Sequence, residues 1–248
     1  HRLRFQKFGA GDWTERSAVN RSSEKEMMDL PDPPKDLLID DLRNLRIINR
    51  CLGNHRLVRR GLARLAEKQE TFSLLDIGTG SGDLPAAIAR WARRKGKIAR
   101  ISGLEPNRTT IDEAARQTGD FNEISLVRGD GMAPPFQPAS FDFVLASQVL
   151  HHFSEEGIVA LLRIWAQVAR RGIIVSDLIR HPLAYHGIRL FTRLLTRNVM
   201  TLVDAPLSVR RGLTLGEWKD IFFRADVGTI QAEHVFPFRL LAVITVRP

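Results

Sequence analysis

The sequence predicts an α/β fold in which a mostly parallel sheet carries helices on both faces. Short apolar runs that suit buried strands alternate with segments whose apolar residues recur every three or four positions, as they do on one face of a helix. Strands that alternate with helices are joined by right-handed crossovers into a parallel sheet. The predicted strands are 73–78, 100–105, 124–129, 141–147 and 172–177, and the helices between them are 84–94, 108–118 and 155–170.

Two helices are predicted before the first strand. Pro33 and Pro34 open a helix that runs to about residue 52, because proline is tolerated in a first helical turn. Gly53-Asn54 ends that helix and caps a second one over 55–68. The polar residues before them predict a partly mobile arm with a short helix near 22–30.

The segment after the fifth strand breaks the alternation. A helix is predicted over 183–195, followed by a loop through 204–206 and 210–211. This segment is either an insertion over a substrate pocket or a packing helix without ligand contact. The predicted division is a polar arm over 1–33, a helical cover over 34–72 and a core over 73–248 that contains the insertion 181–213.

The end of the chain predicts a helix and a hairpin. Thr214 and Glu217 form the capping box of a helix that ends near Arg224. Two strands, 229–236 and 239–246, then form an antiparallel pair across a short turn at Pro237-Phe238.

Composition limits the class of protein. The chain has 248 residues, a net charge of +9 and a single cysteine, Cys51, so no disulfide can form within it and we expect a reducing, cytoplasmic setting and a buried, inert thiol. No apolar run approaches 18 residues, which argues against a membrane-spanning helix. The positive charge could serve nucleic acid or an acidic membrane. However, its densest run, Arg90 to Arg100, lies at the far end of the helix 84–94 and in the loop after it, where we expect a solvated face.

The stretch from Leu74 to Asp83 predicts a strand, a glycine turn and a helix, the corner at which α/β proteins bind nucleotides. The dinucleotide fingerprint requires a third glycine where this chain has Asp83 or Pro85. A P-loop is excluded because no Gly-Lys-Ser/Thr follows.

The pattern hydrophobic-Asp-hydrophobic-Gly-x-Gly-x-Gly resembles motif I of the class I S-adenosylmethionine (SAM) methyltransferases. The resemblance covers roughly residues 74–177. It implies a Rossmann-like seven-stranded sheet with a C-terminal antiparallel hairpin, SAM as the cofactor, and helices before the first strand that cover the cofactor. The corner residues that it implies in cofactor binding are Asp76, Gly78, Thr79, Gly80 and Gly82.

Three later strand ends extend the resemblance. Glu105, followed by Pro106, is placed to accept the ribose hydroxyls, although the same spacing suits a dinucleotide fold. Asp130 would accept from the adenine amino group while Gly131 and Met132 flank the ring; the alternative is a simple turn. Gln148 follows the fourth strand, whose end borders both cofactor and substrate in the family.

The reaction that the resemblance implies is transfer of the sulfonium methyl group. His151 or His152 is placed to take a proton from an oxygen acceptor, although histidines at this point are frequent in the family without a base role. The chain lacks an Asn/Asp-Pro-Pro-aromatic run, which argues against exocyclic nitrogen acceptors. No Cys/His cluster has metal-ligand spacing, so no metal is predicted.

Our leading hypothesis is a methyltransferase that acts on a hydroxyl of a small apolar or aromatic molecule, because residues 181–211 are similar to bacterial enzymes for polyketide- or quinone-type substrates. The alternatives are an RNA or protein methyltransferase, a dinucleotide-dependent oxidoreductase, and a SAM-binding protein without catalysis. Nucleic acid is disfavoured, since no RNA-binding segment is recognisable beside the core. The sequence gives no oligomeric state.

Overall fold

The computed structural model describes residues 3–5 and 20–247, and its centre is an eight-stranded sheet. The strands lie in the order β1-β7-β8-β6-β5-β2-β3-β4. β2 to β6 are mutually parallel, whereas β8 is antiparallel to both β6 and β7. The bounds are β1 Leu3–Phe5, β2 Thr71–Ile77, β3 Ile98–Glu105, β4 Ile124–Arg128, β5 Phe141–Ser147, β6 Ala169–Leu178, β7 Gly228–Val235 and β8 Arg239–Val246.

Eight α-helices flank this sheet within the described residues. They are α1 Lys35–Cys51, α2 Asn54–Leu65, α3 Asp83–Arg94, α4 Arg108–Thr118, α5 Glu155–Val168, α6 Pro182–Leu195, α7 Val199–Arg211 and α8 Leu215–Ala225. The predicted Rossmann-like fold, with its antiparallel C-terminal hairpin, is confirmed. The short strand β1, which pairs in parallel with β7 at the sheet edge, is an addition that the sequence did not predict.

The core has a layer on each face of the sheet because successive strand residues point to opposite faces. On β5, Phe143 and Leu145 pack with α2 and α3, while Val144 and Ala146 pack with α5 and α8. Both faces of the central strands are therefore buried, which explains why these strands are apolar throughout rather than alternating.

Residues 204–211 correct the prediction of a loop, because they belong to α7 with Pro206 inside the helix. Asn198 starts this helix by accepting hydrogen bonds from the backbone N–H groups of Met200 and Thr201. Buried contacts along α7, including those of Met200 and Val209, stabilise a helix that the local sequence disfavours.

Three smaller predictions met different outcomes. The short helix expected near 22–30 is a single 3₁₀ turn, Met27–Asp29. Gly53 of the predicted Gly53-Asn54 boundary takes the N-cap position of α2, in a left-handed conformation. The prediction of a buried thiol was wrong, because Cys51, the last residue of α1, is exposed.

No helix in the described part of the chain is long and apolar enough to cross a bilayer. The capping box at Thr214 and Glu217 is present as predicted, with each side chain accepting from the other residue's backbone N–H.

Candidate functional site

The carboxyl ends of the parallel strands meet at one edge of the sheet, and the glycine turn after β2 lies at this edge. Gly78, Gly80 and Gly82 all have positive φ, at 64°, 55° and 76°. A Cβ on Gly82 would lie 2.7 Å from Thr118, so that glycine permits helix packing, whereas a Cβ on Gly80 would meet nothing within 4 Å. Gly80 is therefore the point at which the turn faces open space.

The buried side chain of Asp76 stabilises the glycine turn. Its carboxylate accepts the Thr79 hydroxyl at 2.7 Å, and burial raises the pKa of Asp76 to about 7. The side chain is 1% exposed. The structure thus places Asp76 under the corner, while Thr79 also lines the cavity above it.

Glu105 links the second strand to the glycine turn. One carboxylate oxygen accepts the Gly80 N–H at 3.2 Å and the other accepts the Asn107 N–H at 3.1 Å. Burial raises the pKa of Glu105 to about 7. Glu105 and Pro106 line a cavity of about 500 Å³ beside residues 28–33. Glu105 therefore lies at a cavity wall with both oxygens accepting backbone N–H groups, and its role toward ribose hydroxyls stays a prediction.

A second cavity, of about 130 Å³, lies directly over the turn, and we call it the polar cavity. The predicted site residues that line it are Gly78, Thr79, Gly80, Gln148, His151 and His152. Four acids that line it were not predicted as site residues: Glu26, Asp41, Asp83 and Asp204.

Asp41 has one carboxylate oxygen that accepts no hydrogen bond from the described residues. The residue is fully buried; Oδ1 accepts the Thr201 hydroxyl at 2.6 Å, and Oδ2 has no hydrogen-bond partner among the described residues. Burial raises the pKa of Asp41 to about 7. A buried acceptor without a donor is costly, so this oxygen suits a ligand that brings a donor or a positive charge.

The segment 20–33 lies beside the polar cavity and is hydrogen-bonded to α7. The Met27 and Met28 N–H groups donate to Asp204 at 2.8 and 3.0 Å, and burial raises the pKa of Asp204 to about 6. Glu26 is 2% exposed and accepts the Ser208 hydroxyl at 2.9 Å. The described part of the predicted arm therefore forms one wall of the site.

His151 lies inside this wall in a network of charges. Its Nδ1 is 2.7 Å from Asp177 and its Nε2 is 3.6 Å from Glu26. Burial alone would lower the pKa of His151, but the charge of Asp177 and its hydrogen bond outweigh burial and raise that pKa to about 10. The imidazole is then protonated at neutral pH and donates a hydrogen bond to Asp177, and a role for His151 as a base stays a prediction.

His152 is partly exposed and its Nδ1 is 2.7 Å from Asp29. Ligand atoms of Glu26, His151 and His152 lie within 4.8 Å of one another, a grouping of metal-ligand type that the sequence did not predict because Glu26 is so distant along the chain. We interpret the group as an ion network, since Arg211 and His151 both lie within 4.0 Å of the Glu26 carboxylate.

Asp130, Gly131 and Met132 lie apart from the three cavities described in this section. Asp130 is exposed and accepts the Met132 N–H at 2.8 Å, while the Gly131 carbonyl accepts Trp165 Nε1–H at 2.9 Å. The segment has the turn geometry that the sequence left open as an alternative, and its role beside adenine stays a prediction.

The third cavity, which we call the apolar cavity, has a volume of about 310 Å³. It lies between α1, α6, α7 and the turn before β8. Leu45, Gln148, Ala205 and Ser208 line both it and the polar cavity. The two cavities therefore adjoin at Gln148, whose amide donates to Asn49 and whose φ is +57°.

Arg239 is a buried cation on the wall of the apolar cavity. The residue is 2% exposed, and desolvation lowers its pKa to about 10 against the opposing charge of Asp177. Among the described residues its guanidinium makes one hydrogen bond, a 3.5 Å contact with Asn54 Oδ1, and no ion pair within 4 Å. Asn54 is itself held by Ser147 and Ser176.

One of the missed residues carried a signal in the sequence. Asp41 stands on the apolar stripe of α1 between Leu38 and Leu45, and a carboxylate at such a position indicates a buried role. Glu26 and Arg239 carried none, because only long-range packing brings them to the site.

Comparisons with known proteins identify a methyltransferase domain in the centre of the chain. Residues 74–172 match the family model described as "Methyltransferase domain". Demethylmenaquinone methyltransferase of Bacillus subtilis is 31% identical over 81 residues, which is 33% of this chain and 34% of that protein. A malonyl-[acyl-carrier protein] O-methyltransferase of Legionella pneumophila is 26% identical over 120 residues, which is 48% of this chain and 39% of that protein.

Solved structures share the fold over most of the chain. A Nostoc punctiforme protein described as a candidate O-methyltransferase has a TM-score of 0.62 at 18% identity, over 92% of this chain and 64% of that one. Human N-acetylserotonin methyltransferase in complex with SAM has a TM-score of 0.63 at 16% identity, over 86% of this chain and 57% of that one. The chain matches about a third of the length of the first curated relatives, so the comparisons establish the domain and the fold.

Proposed function

We propose that this chain, a class I SAM-dependent methyltransferase by its domain and its fold, transfers the methyl group of SAM to a hydroxyl oxygen of a small apolar or aromatic molecule. The observation that carries the proposal is the pair of adjoining cavities. An acid-rich cavity over the glycine turn meets an apolar cavity at Gln148.

The residues of the polar cavity fit SAM. The sulfonium and ammonium groups of SAM are cations. Two acids of the cavity suit them: Asp41, one oxygen of which has no hydrogen-bond partner among the described residues, and Asp204, whose pKa is raised by burial. Open space at Gly80 admits the ligand beside the backbone. Glu105 would receive the ribose hydroxyls. Arg46 on the cavity wall, which pairs with Glu113 at 3.2 Å, would supply a cation for the carboxylate.

When bound, SAM supplies an activated methyl group, so the protein's contribution is binding, orientation and placement of charge. Gln148 at the junction would position the acceptor oxygen in line with the methyl group, which lowers the barrier by fixing geometry. Segment 20–33 and the α6–α7 pair would exclude water from both cavities.

The lining of the apolar cavity favours an apolar acceptor molecule. Its polar lining consists of Gln148, Ser208 and Arg239, the rest being apolar side chains and Gly187. A buried cation beside a hydroxyl favours the ionised oxygen, so Arg239 would stabilise the acceptor as a nucleophile while the hydroxyl proton passes to His152, which lines the adjoining polar cavity. This assignment leaves His151 to hold Asp177 and Glu26 in place, consistent with its raised pKa. A curated relative named for demethylmenaquinone supports an apolar acceptor, and one named for O-methyl transfer supports an oxygen acceptor.

Two measurements test the proposal. Calorimetry should show binding of SAM and none of NAD, and incubation with methyl-labelled SAM and an extract of the source cell should label a small apolar product. Binding of NAD alone would refute the proposal. Label found only in RNA or protein would refute the acceptor class while leaving the cofactor assignment intact.

A further inference from the structure

The outer face of α6 carries an exposed row of leucines. Leu183, Leu190 and Leu194 are 61%, 63% and 80% exposed. Together with Gly187 they occupy positions i, i+4, i+7 and i+11, which lie on one face of a helix. The opposite face, with Ile188, packs in the core. We call the four positions the leucine stripe.

Only basic groups border the leucine stripe along the helix. From Pro182 to Val203 the sequence contains no aspartate or glutamate, whereas Arg189, Arg193 and Arg197 are all present and exposed. None of these three makes an ion pair with another described residue within 4 Å. A leucine face beside unpaired arginines is the pattern of a helix that lies in the plane of an anionic lipid surface.

The leucine stripe is continuous with the apolar cavity. Leu183 and Gly187 are exposed and also line that cavity, so the cavity reaches the surface at the stripe. A Cβ on Gly187 would meet nothing within 4 Å. Glycine inside a helix is less stable than alanine, and here it leaves the entrance free of a side chain.

We propose that α6 docks by its leucine stripe on an anionic lipid surface, and that the acceptor passes from the lipid into the apolar cavity beside Gly187. The second part rests on the proposed function, whereas docking itself requires neither SAM nor an acceptor. Charge complementarity favours anionic over zwitterionic lipid, because the segment from Pro182 to Val203 carries arginines and no acidic residue and the whole chain carries +9.

The test is sedimentation of the full chain with vesicles of dioleoylphosphatidylglycerol or of dioleoylphosphatidylcholine. We expect binding to the anionic vesicles that weakens as salt is raised, and at least tenfold weaker binding to the zwitterionic ones. Leu190→Gln with Leu194→Gln should reduce binding to anionic vesicles at least tenfold. Arg189→Gln with Arg193→Gln should reduce it and flatten its salt dependence.

Ile98→Gln is the matched control, since Ile98 is 63% exposed at the start of β3, away from α6. Equal binding to both lipids, or equal loss in the Ile98 variant, would overturn docking. So would a dimer that the leucine substitutions dissociate in the absence of vesicle binding, because the stripe would then join two copies. SAM calorimetry on each variant confirms the fold and tests the proposed function separately from docking.

Discussion

Gly80 is the residue at which the glycine turn meets the ligand space, and it offers the sharpest test of the cofactor site. Gly80→Ala should lower SAM affinity at least tenfold, because the added Cβ would project into that space. Gly96→Ala is its control, since Gly96 also has positive φ and open surroundings but follows α3, away from the site. Both variants should lose stability on the order of 1 kcal/mol from left-handed strain. Calorimetry and urea unfolding measure the two effects, and equal loss of SAM affinity in both would remove Gly80 from the site.

Glu105 should contribute through its charge. Glu105→Gln keeps the shape and one acceptor but removes the carboxylate that would bind the ribose hydroxyls. We expect SAM binding to weaken by about 1.5–3 kcal/mol, which is the range for hydrogen bonds to a charged group. Asp112→Gln, on the exposed face of α4, should leave the affinity unchanged. An unaltered dissociation constant in Glu105→Gln would show that the end of β3 does not hold the ribose.

A substitution at Arg239 tests the proposed acceptor site separately from the cofactor site. Arg239→Met should reduce labelling of the acceptor in a cell extract at least tenfold while leaving SAM affinity within twofold. The variant should fold well, because a buried cation without an ion pair gives little net stability. Arg239→Lys should restore part of the activity through its charge. Undiminished labelling by the methionine variant would place the acceptor oxygen elsewhere.

At the scale of elements, α7 is held at its start by one side chain that also binds a second helix. Asn198 accepts from the Met200 and Thr201 N–H groups and donates to the Leu37 carbonyl and to Asp40 of α1. Loss of a helix cap costs roughly 1 kcal/mol, up to about 2. Asn198→Ala should therefore destabilise the protein by about 2 kcal/mol.

The matched control is Asn107→Ala, because Asn107 caps α4 through the Thr110 N–H and makes no such link to another helix in the described structure. It should cost about 1 kcal/mol. Urea unfolding followed by circular dichroism measures both. A smaller loss of unfolding free energy in Asn198→Ala than in Asn107→Ala would mean that the hydrogen bonds between α1 and α7 contribute nothing to stability.

At the scale of the whole molecule, the buried acids around the polar cavity should make stability depend on pH in an unusual direction. Burial raises the pKa of Asp41 to about 7, above its value of about 4 in the unfolded chain. Between these values the folded state holds a proton that the unfolded state has lost, so stability falls as pH rises through 7. From pH 6 to pH 8 the loss from one such group is about 1.4 kcal/mol.

Asp41→Asn removes this contribution and keeps the hydrogen-bonding shape. The free energy of unfolding should fall less between pH 6 and pH 8 in the variant than in the wild-type protein. SAM should also reduce the wild-type slope, because a cation beside Asp41 favours the carboxylate. Identical pH dependence in variant and wild type would show that Asp41 ionises normally.

The local patterns of the sequence predicted the elements well. Each predicted strand of the parallel core ends within a residue or two of the observed strand, because a buried strand needs a continuous apolar run that few other structures tolerate. The capping box at Thr214 was also predicted correctly, since its two hydrogen bonds join residues that are three positions apart in the sequence. α7 was missed because Pro206 is a strong local signal that packing outweighs.

Local sequence was enough to predict the α/β order of this chain, the glycine turn and the acid at the end of β3, because each depends on neighbours within a few residues. Packing between distant segments places Glu26 beside the polar cavity, Arg239 in an apolar wall and the leucines of α6 on the surface beside the cavity entrance. These facts depend on which distant segments share a surface, and the burial and charge of a side chain are properties of that shared surface rather than of the local sequence.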